Sequence, residues 1–413
     1  MNAYAWIILA FLLANYLLNL VADLLNLSNM GEQLPAEFED AWDAERYRTS
    51  QRYIRDNTRL GIASSTCGLA VLLAFWFSGG FNWLDHLVRS AGLSPVPTGL
   101  LFIGALLAAS GLGAAVFSAY SVFVIEERYG FNRTTPATFI KDRIKMAILA
   151  VVLGGPVLAA VLAFFRHAGP DAWLYCWIAA SAFILFIQYI APTFLLPLFN
   201  RFEPMKEGEV RDAVLEYLDG QEFEVKNLFV MDGSRRTAKA NALFTGLGSK
   251  KRIAMFDTLL ERHDTDEVVA VVAHEVGHYK MRHVVKGMAA QILHLGLLFL
   301  LLSLFLESRG LYEAFFMDRM SVYAGLVFFG LLYSPVETVV LLALQAWSRK
   351  NEYEADRYAV RTTGKTEPMA RALLKLSRDN LSNLTPHPLA VLLRHTHPPV
   401  LDRIRALRKQ ATA

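Results

Sequence analysis

Residues 284–307 read VVKGMAAQILHLGLLFLLLSLFLE, an apolar run in which only Lys286 and Glu307 are formally charged. A helix needs roughly 20 predominantly apolar residues to cross the hydrocarbon core of a bilayer. Six further runs have the same character: 3–27, 60–83, 98–124, 143–165, 172–199 and 321–347. One buried apolar helix is common in a soluble protein, but seven in one chain predict a membrane protein with seven transmembrane helices.

The composition agrees with this interpretation. Of the 413 residues, 54% are hydrophobic and 19% are charged, and the mean hydropathy is +0.31. A soluble globular chain usually carries about 25% charged residues. The net charge of +3 is too small to indicate nucleic-acid binding. The first run is too long, and its start too poor in positive charge, for a cleaved signal peptide.

The cysteine content limits the kind of metal site that the chain can build. Cys67 and Cys176 are the two cysteines, and both lie within apolar runs. They form neither a disulfide framework nor a CxxC pair. Any metal must therefore be held by histidine and carboxylate ligands.

Basic residues in the loops predict the orientation of the chain. They are concentrated between the first two runs and between the third and fourth: Arg46, Arg48, Arg52, Arg55 and Arg59, then Arg128, Arg133, Lys141 and Arg143. The alternate loops carry only Arg89, Arg166, Arg309 and Arg319. Because positive residues collect on the cytoplasmic side, we expect the N-terminus outside and segments 200–283 and 348–413 in the cytosol.

These segments divide the chain into four parts: 1–199 with helices one to five, a cytoplasmic segment 200–283, residues 284–347 with helices six and seven, and a cytoplasmic tail 348–413. The sequence predicts local elements as follows: a helix over 210–218, strands at 225–231 and Arg252–Phe256, a weaker strand at 241–245, a helix capped by Thr265, a helix over 367–380, and a last helix opened by Pro398-Pro399.

A metal-binding pattern, HEVGH, occurs at residues 274–278 within a stretch predicted to be helical. Two histidines four residues apart lie on one face of a helix, one turn above the other. Both imidazoles can therefore reach one tetrahedral ion, and Glu275 lies beside them to act as a base on water. The pattern should arise by chance about once in a hundred chains of this length, so a surface helix with incidental histidines is the alternative.

A second pattern follows the last apolar run, where residues 348–356 read SRKNEYEAD. Glu352 and Asp356 are four residues apart and share a helical face. A catalytic zinc site needs three protein ligands and one open position, so one carboxylate can ligate the metal while the other orients a ligand imidazole. Glu354 is two residues from each and is expected to face away from both.

The membrane provides an independent check on this pairing. His278 precedes the sixth run by six residues and Glu352 follows the seventh by five. At about 1.5 Å per helical residue, both groups should lie roughly 8–9 Å beyond the membrane edge. Two adjacent helices would therefore deliver their ligands at the same height.

Further short stretches occur in a fixed order along the chain: EERYGFN (126–132), PLFN (197–200), KANALFTG (239–246), Arg252-Ile253, FDTLL (256–260) and HPP (397–399) with Arg403. Together with HEVGH and residues 352–356, they resemble the CAAX prenyl protease type 1 family of membrane zinc endopeptidases over nearly the whole chain. The resemblance implies an all-α integral-membrane fold. Seven transmembrane helices would form a barrel around a water-filled chamber, closed at the cytoplasmic end by a zincin-like zinc domain with a small β element.

The resemblance also implies roles for individual residues. One Zn²⁺ per chain would be held by His274, His278 and Glu352, with Glu275 as the catalytic base. Asp356 would hydrogen-bond His274 and is sometimes assigned as a proton donor. His397 would contact the scissile carbonyl. Asn241 and Ala242 would hold the substrate backbone, and Arg403, grouped with them, would support the site from behind.

Polar residues inside the predicted helices are consistent with a chamber. Gln188, Gln291, His294 and Glu337 lie within apolar runs, and Pro335 interrupts the seventh. Polar groups at such depth usually face a bundle interior or a water-filled cavity. Hydrogen bonds between helices are the alternative explanation for each one alone.

Three other functions compete with this interpretation. An HtpX-like membrane quality-control metalloprotease shares HExxH and a downstream glutamate, but such proteins have fewer spans. A site-two-type intramembrane protease would bury HExxH inside a span, whereas charged residues flank it here. A non-catalytic zinc-stabilised membrane scaffold would have no use for Glu275.

The expected partners are a peptide or protein substrate that could be lipidated, and the lipid bilayer. The sequence does not identify the physiological substrate. We expect a multi-pass protein of a bacterial inner membrane with its active site on the cytoplasmic side.

Overall fold

The computed structural model describes residues 1–31, 34–35, 38–39, 42–223, 228–245 and 252–411. Within these ranges the helices are α1 Ala3–Ser28, α2 Ala44–Phe77, α3 Gly80–Arg89, α4 Pro95–Tyr120, α5 Pro136–Leu149, α6 Gly155–His167, α7 Ala172–Ile190, α8 Glu209–Gly220, α9 Asp257–Leu260, α10 Thr265–Lys280, α11 His283–Phe305, α12 Arg309–Glu313, α13 Val322–Thr363, α14 Thr366–Asp379, α15 Pro388–Arg394 and α16 Val400–Ala411. The strands are β1 Phe202–Pro204, β2 Leu228–Met231, β3 Ala242–Thr245 and β4 Arg252–Phe256.

Seven helical segments of the described chain are long and apolar enough to cross a membrane: Ala3–Ser28, Ala44–Phe77, Pro95–Glu126, Pro136–His167, Gly169–Leu198, His283–Phe305 and Val322–Thr363. Each overlaps one predicted run. Three of these segments include π-helical stretches that the apolar pattern did not indicate: Ser121–Glu126, Ala150–Gly154 and Ala191–Leu195.

Two boundaries differ from those expected. The second helix ends at Phe77, six residues before the end of the apolar run, because Gly79 adopts φ +75° and turns the chain into α3. The seventh helix does not stop near 347 but continues unbroken to Thr363. The boundary predicted between 347 and 348 therefore falls inside α13.

Most residues in the apolar windows of the spanning helices are not buried within the protein. Only 6–17% of the residues in each window are buried. At one end, an aromatic cluster joins α2, α3, α4 and α13 with the loop after α12: Trp76, Phe81, Phe102, Phe315 and Phe328. There the rings of Phe315 and Phe328 stack at 3.9 Å, and the Trp76 indole donates a hydrogen bond to the carbonyl of Ala314 (2.8 Å).

The polar residues predicted within the spans remain at least partly accessible. Gln291 is exposed, and Gln188 and Glu337 are half-buried. His294 Nε2 lies 3.1 Å from Glu337 Oε2 and 3.0 Å from the Tyr333 hydroxyl. This cluster joins α11 and α13 within the membrane-spanning region.

A small sheet lies at the opposite end from the aromatic cluster, with strand order β1-β2-β4-β3. β1 is antiparallel to β2, β2 is parallel to β4, and β3 is antiparallel to β4. The strand at Arg252–Phe256 is confirmed, and so is the weaker one, which begins at Ala242. Of the predicted strand 225–231, Leu228–Met231 is confirmed, and residues 225–227 lie outside the described part of the chain.

The EERYGFN stretch links the spans to this sheet. Glu126 ends the third span, and its carbonyl accepts hydrogen bonds from the backbone N–H groups of Phe131 (2.8 Å) and Asn132 (3.1 Å). The turn needs Gly130, which has φ +74°. The carbonyl of Phe131 then accepts a hydrogen bond from the Ala238 N–H (3.1 Å), so this turn holds the chain that leads into β3.

This topology predicts which positions react with a membrane-impermeant thiol reagent. In a background lacking Cys67 and Cys176, Arg235→Cys and a cysteine appended after Ala413 should be labelled from the cytoplasmic side. Ser90→Cys and Arg309→Cys should be labelled from the opposite side. Ser90 is chosen because it is exposed, whereas its neighbour Arg89 pairs with the buried Asp85 at 2.7 Å. Labelling of position 235 and the C-terminus from opposite sides would rule out seven spans.

Candidate active site

The site is built on α10, whose N-terminus is fixed by a capping box. The Asp264 side chain accepts a hydrogen bond from the Glu267 N–H (2.9 Å), and the Glu267 carboxylate accepts one from the Asp264 N–H (3.2 Å). The cap is therefore Asp264, whereas the sequence predicted Thr265. The Thr265 hydroxyl instead donates to Glu209 Oε1 (2.8 Å).

Glu267 also joins α10 to α14. Its side chain is fully buried, and its carboxylate lies 2.7 Å from Lys375 Nζ, 3.4 Å from Arg371 Nε and 3.2 Å from His263 Nδ1. Burial raises the pKa of Glu267, but the hydrogen bonds from His263 and Lys375 outweigh it and lower the pKa from 4.5 to about 2. The carboxylate therefore stays ionised in the folded protein.

Close packing of α10 on α13 brings the two metal-binding patterns together. Gly277, inside HEVGH, lies against Ala355 on α13. A Cβ at position 277 would meet the Ala355 Cα and carbonyl oxygen at 3.2 Å and the Tyr358 Cβ at 3.1 Å. The two backbones could not approach so closely with a larger residue at position 277.

Three predicted ligands converge across this contact. The Nε2 atoms of His274 and His278 lie 3.1 Å apart. Glu352 places Oε2 3.5 Å from His274 Nε2 and Oε1 3.2 Å from His278 Nε2. One donor atom from each of the three residues lies within 4.8 Å of the others, an arrangement that could hold a metal ion.

The electrostatics of this cluster favour a cation. Glu352 Oε2 is buried and accepts no hydrogen bond, although the His397 Nδ1 approaches it to 2.8 Å. Burial lowers the pKa of His274, but the contacts with Asp356 and Glu352 outweigh it and raise the pKa to about 9. The two buried carboxylates, Glu352 and Asp356, have one buried guanidinium beside them. The donor set of two imidazoles and a carboxylate fits a divalent metal.

Asp356 and Arg403 lie behind the ligands. Asp356 Oδ1 is 2.9 Å from His274 Nδ1, and the Arg403 guanidinium donates two hydrogen bonds to the same carboxylate at 2.6 and 2.8 Å. Arg403 is buried and also lies 3.4 Å from Glu352. This position agrees with support from behind. The Arg403 side chain is only 9% exposed, and its assignment to substrate binding stays a prediction.

His397 and Glu275 lie on the accessible side of the cluster. The His397 side chain is 64% exposed while its Nδ1 approaches Glu352, so the remainder of the ring is available to a bound molecule. Glu275 is half-buried and has no hydrogen-bond or ion-pair partner among the described residues.

The edge strand β3 contacts α10 directly, and its free edge begins at Ala242. The Asn241 carbonyl accepts a hydrogen bond from the Phe256 N–H (3.0 Å), so Asn241 faces β4. Because successive residues of an antiparallel strand alternate in direction, the backbone N–H and C=O of Ala242 point to the free edge. In this structure the Ala242 N–H donates to the Asn241 side chain (2.9 Å).

Several residues that position the edge strand were not identified from the sequence. Asn380 makes two hydrogen bonds with the backbone of Ala240, at 3.1 and 3.2 Å. Lys239 Nζ donates to Glu126 (3.0 Å) and to the Tyr53 hydroxyl (2.8 Å). These partners are distant in sequence. Glu126 and Lys239 belong to the EERYGFN and KANALFTG stretches, but the sequence assigned no role to either side chain.

The path from the site into the sixth span also differs from expectation. α10 ends at Lys280, and Arg282 adopts φ +58° before α11 begins at His283. The rise of 1.5 Å per residue therefore does not apply between His278 and the span. This rise does apply between the seventh span and Glu352, because both belong to the unbroken helix α13.

Comparison with known proteins gives consistent results over the full length. The family model described as CAAX prenyl protease N-terminal, five membrane helices, matches residues 23–201, and Peptidase family M48 matches residues 204–411. The CAAX prenyl protease 1 homolog of Arabidopsis thaliana is 32% identical over 409 residues, covering 97% of this chain and 96% of the relative. CAAX prenyl protease 1 of Saccharomyces cerevisiae is 32% identical over 401 residues, covering 91% and 88%.

A solved structure extends the comparison to the fold. The crystal structure of S. mikatae Ste24p matches with a TM-score of 0.93 at 32% identity, covering 98% of this chain and 99% of that chain. The agreement confirms the predicted fold class, a helical membrane protein of seven spans around a chamber with a small β element at one end.

The charge on Glu267 should make the stability of the protein dependent on acid pH. Its folded pKa of about 2 is below the unfolded value of 4.5, so its contribution is complete above pH 4.5 and is lost as the pH falls towards 2. The shift corresponds to about 3 kcal/mol. We expect Glu267→Gln to unfold at a lower temperature than the wild type at pH 6, and the gap to narrow as the pH falls.

The melting temperatures of both proteins in detergent, measured from pH 6 to pH 3, test this expectation. Glu261→Gln provides a matched control because Glu261 is an exposed carboxylate just before α10, and it should melt like the wild type throughout. A gap between wild type and Glu267→Gln that does not change with pH would show that the buried charge is not the cause.

Proposed function

We propose that this chain, which belongs to peptidase family M48, is a zinc-dependent endopeptidase that cleaves peptides at the membrane surface. The family makes it a membrane metallopeptidase; the metal, the residues and the side of the membrane are the proposal. One observation carries it. Two imidazole Nε2 atoms and a buried carboxylate converge within 4.8 Å, beside a glutamate that has no partner among the described residues.

The residues that would hold the zinc are His274, His278 and Glu352. They would supply two nitrogen donors and one oxygen donor, the number and kind of protein ligands typical of catalytic zinc sites. Zinc bound there would supply Lewis-acid activation of a water molecule and of the scissile carbonyl. Because the chain has no suitable cysteine cluster, oxygen and nitrogen donors are the available ligands.

Glu275 would act as general base and then as general acid. Its carboxylate takes a proton from the attacking water and returns it to the leaving amine. His397, exposed on the same side and close to Glu352, would donate a hydrogen bond to the oxygen of the scissile carbonyl as negative charge develops. Asp356 and Arg403 hold His274 in the orientation that points its Nε2 to the metal position.

The substrate would bind as an additional strand on β3. The N–H and C=O of Ala242 face the free edge, and an extended peptide can pair with them without requiring particular side chains. Asn380, Thr258 and Phe131 hold the backbone of residues 238–240 in place. The edge is therefore pre-organised before substrate arrives.

The substrate class is a peptide or protein. The matched relatives are named CAAX prenyl proteases, which makes a prenylated peptide the lipidated substrate to test beside an unmodified one. The excess of arginine and lysine in the loops at the site's end of the spans supports a cytoplasmic active site. A bacterial inner membrane remains a proposal made from the sequence.

The role of Glu275 as base can be separated from metal binding. Glu275→Gln should keep one zinc per chain, because Glu275 is not a ligand, and should lose about 10²–10⁴-fold in kcat. Zinc content by elemental analysis and cleavage of a peptide library provide the two measurements. Asp266→Asn is the control on the same helix, since Asp266 forms a surface pair with Lys365. Near-normal turnover by zinc-loaded Glu275→Gln would contradict the mechanism.

The free edge of β3 can be tested through one backbone N–H. Ala242→Pro removes the N–H that faces the edge but no hydrogen bond to β4. We expect it to abolish peptide cleavage while zinc content and folding persist. Ala242→Gly, which retains the N–H, should cleave nearly normally. Asn241→Ala should lower kcat/KM by less than about tenfold, the effect of one side-chain hydrogen bond. If Ala242→Pro has the kcat/KM of the wild type, β3 does not bind the substrate.

A further inference from the structure

We propose that His283 and Glu354 position the metal ligand His278 through a chain of hydrogen bonds, and that this chain raises the affinity of the site for zinc. The inference rests on the proposed zinc site and adds two residues to it. Neither residue would touch the metal or the substrate, so both are positioning residues.

The contacts form a continuous line away from the metal position. His278 directs Nε2 towards His274 and Glu352, and its Nδ1 lies 3.0 Å from His283 Nδ1. The other nitrogen of His283, Nε2, lies 3.2 Å from Glu354 Oε2. The His283 side chain is 4% exposed and that of Glu354 is 25% exposed, so the chain runs from the buried site towards the surface.

A single assignment of protons satisfies each contact. A histidine that ligates a metal through Nε2 carries its proton on Nδ1. His278 Nδ1–H then donates to His283 Nδ1, which leaves the His283 proton on Nε2, where it donates to the Glu354 carboxylate. Hydrogen bonds of this kind fix the tautomer and the ring orientation of a metal ligand and raise its basicity.

A break between two helices makes the contact possible. His283 follows His278 by five residues, and on one continuous helix the two side chains would be about 140° apart around the axis. Instead α10 ends at Lys280, and Arg282 takes φ +58°, a left-handed conformation that is uncommon for a residue with a side chain. The polypeptide backbone turns there, and His283 lies beside His278 at the start of α11.

Glu354 contacts His283 because α11 begins on the side of α13 that carries Glu354. The sequence predicted that Glu354 would face away from both Glu352 and Asp356. It does face away from these carboxylates, but the space there is filled by His283. Its other ionic contact, Lys350 Nζ, is 3.8 Å away and largely exposed, which makes it a weak surface pair.

The two histidine ligands are thereby supported in parallel. His274 Nδ1 contacts the Asp356 carboxylate directly, and His278 Nδ1 contacts the Glu354 carboxylate through one intervening imidazole. Asp356 is in turn held by Arg403. Each of the two ligand imidazoles thus has a carboxylate behind it. These carboxylates, Asp356 and Glu354, lie on opposite faces of α13.

Zinc affinity of the full-length protein in detergent, measured by competition with a chelator of known affinity, tests the chain. His283→Phe keeps the volume of the ring but removes its nitrogens, and we expect about 10–100-fold weaker zinc binding. His283→Asn retains an acceptor for His278 and should recover part of the loss. Glu354→Ala should weaken binding measurably, while Lys350→Ala should bind like the wild type.

A double variant distinguishes a chain from two independent effects. If Glu354 acts on the metal through His283, His283→Phe combined with Glu354→Ala should bind zinc no more weakly than His283→Phe alone. The absorption bands of Co²⁺-loaded protein should also change in His283→Phe and remain unchanged in Lys350→Ala. Additive losses in the double variant, or wild-type zinc affinity for both single variants, would overturn the proposal.

Failure of the chain is distinct from failure of the zinc site itself. Wild-type protein should bind one zinc, and Glu352→Ala should bind none. If the wild type binds one zinc and the His283 and Glu354 variants match it, only the chain is wrong. If the wild type binds no zinc, both proposals are wrong.

Discussion

The close contact between α10 and α13 is the interaction on which the site depends. A Cβ added at Gly277 on α10 would lie 3.2 Å from the backbone of Ala355 on α13. The contact sets His274 and His278 opposite Glu352, although these residues are more than 70 positions apart. The α13 helix also anchors the site to the membrane part of the protein, because it runs without a break from the aromatic cluster to Thr363.

The buried charges explain why this contact needs a cation. Glu352 and Asp356 are both buried, and Arg403 is the buried guanidinium beside them. Two carboxylates and one guanidinium leave one negative charge in a region of low dielectric, where an uncompensated charge is costly. A proton on His274 can compensate it, and so can a divalent metal held by the same donors. The surroundings of the ligands, Arg403 and Asp356 on one side and His283 and Glu354 on the other, then hold the imidazoles in place.

The sequence predicted those features that depend on local patterns. Apolar length located the seven spans, short β-like runs located Arg252–Phe256 and, more weakly, the strand at 241–245, and helical spacing placed His274 and His278 on one face. It misplaced or missed features that arise from contacts between distant residues. Asp264 replaces Thr265 as the cap because Glu267 completes the box and is held by Lys375, more than a hundred residues away. The role of Glu354 depends on the left-handed turn at Arg282, and no propensity predicts a positive φ at arginine. Asn380 supports the edge strand across 140 positions.

The most direct test of the account is the position of zinc in crystals of the full-length protein, measured by anomalous diffraction at the zinc edge. We predict one strong peak per chain, at about 2.0–2.2 Å from His274 Nε2, His278 Nε2 and a carboxylate oxygen of Glu352. A peak elsewhere in zinc-loaded crystals, for example at His294 and Glu337 within the spans, or none between these three residues, would contradict the account.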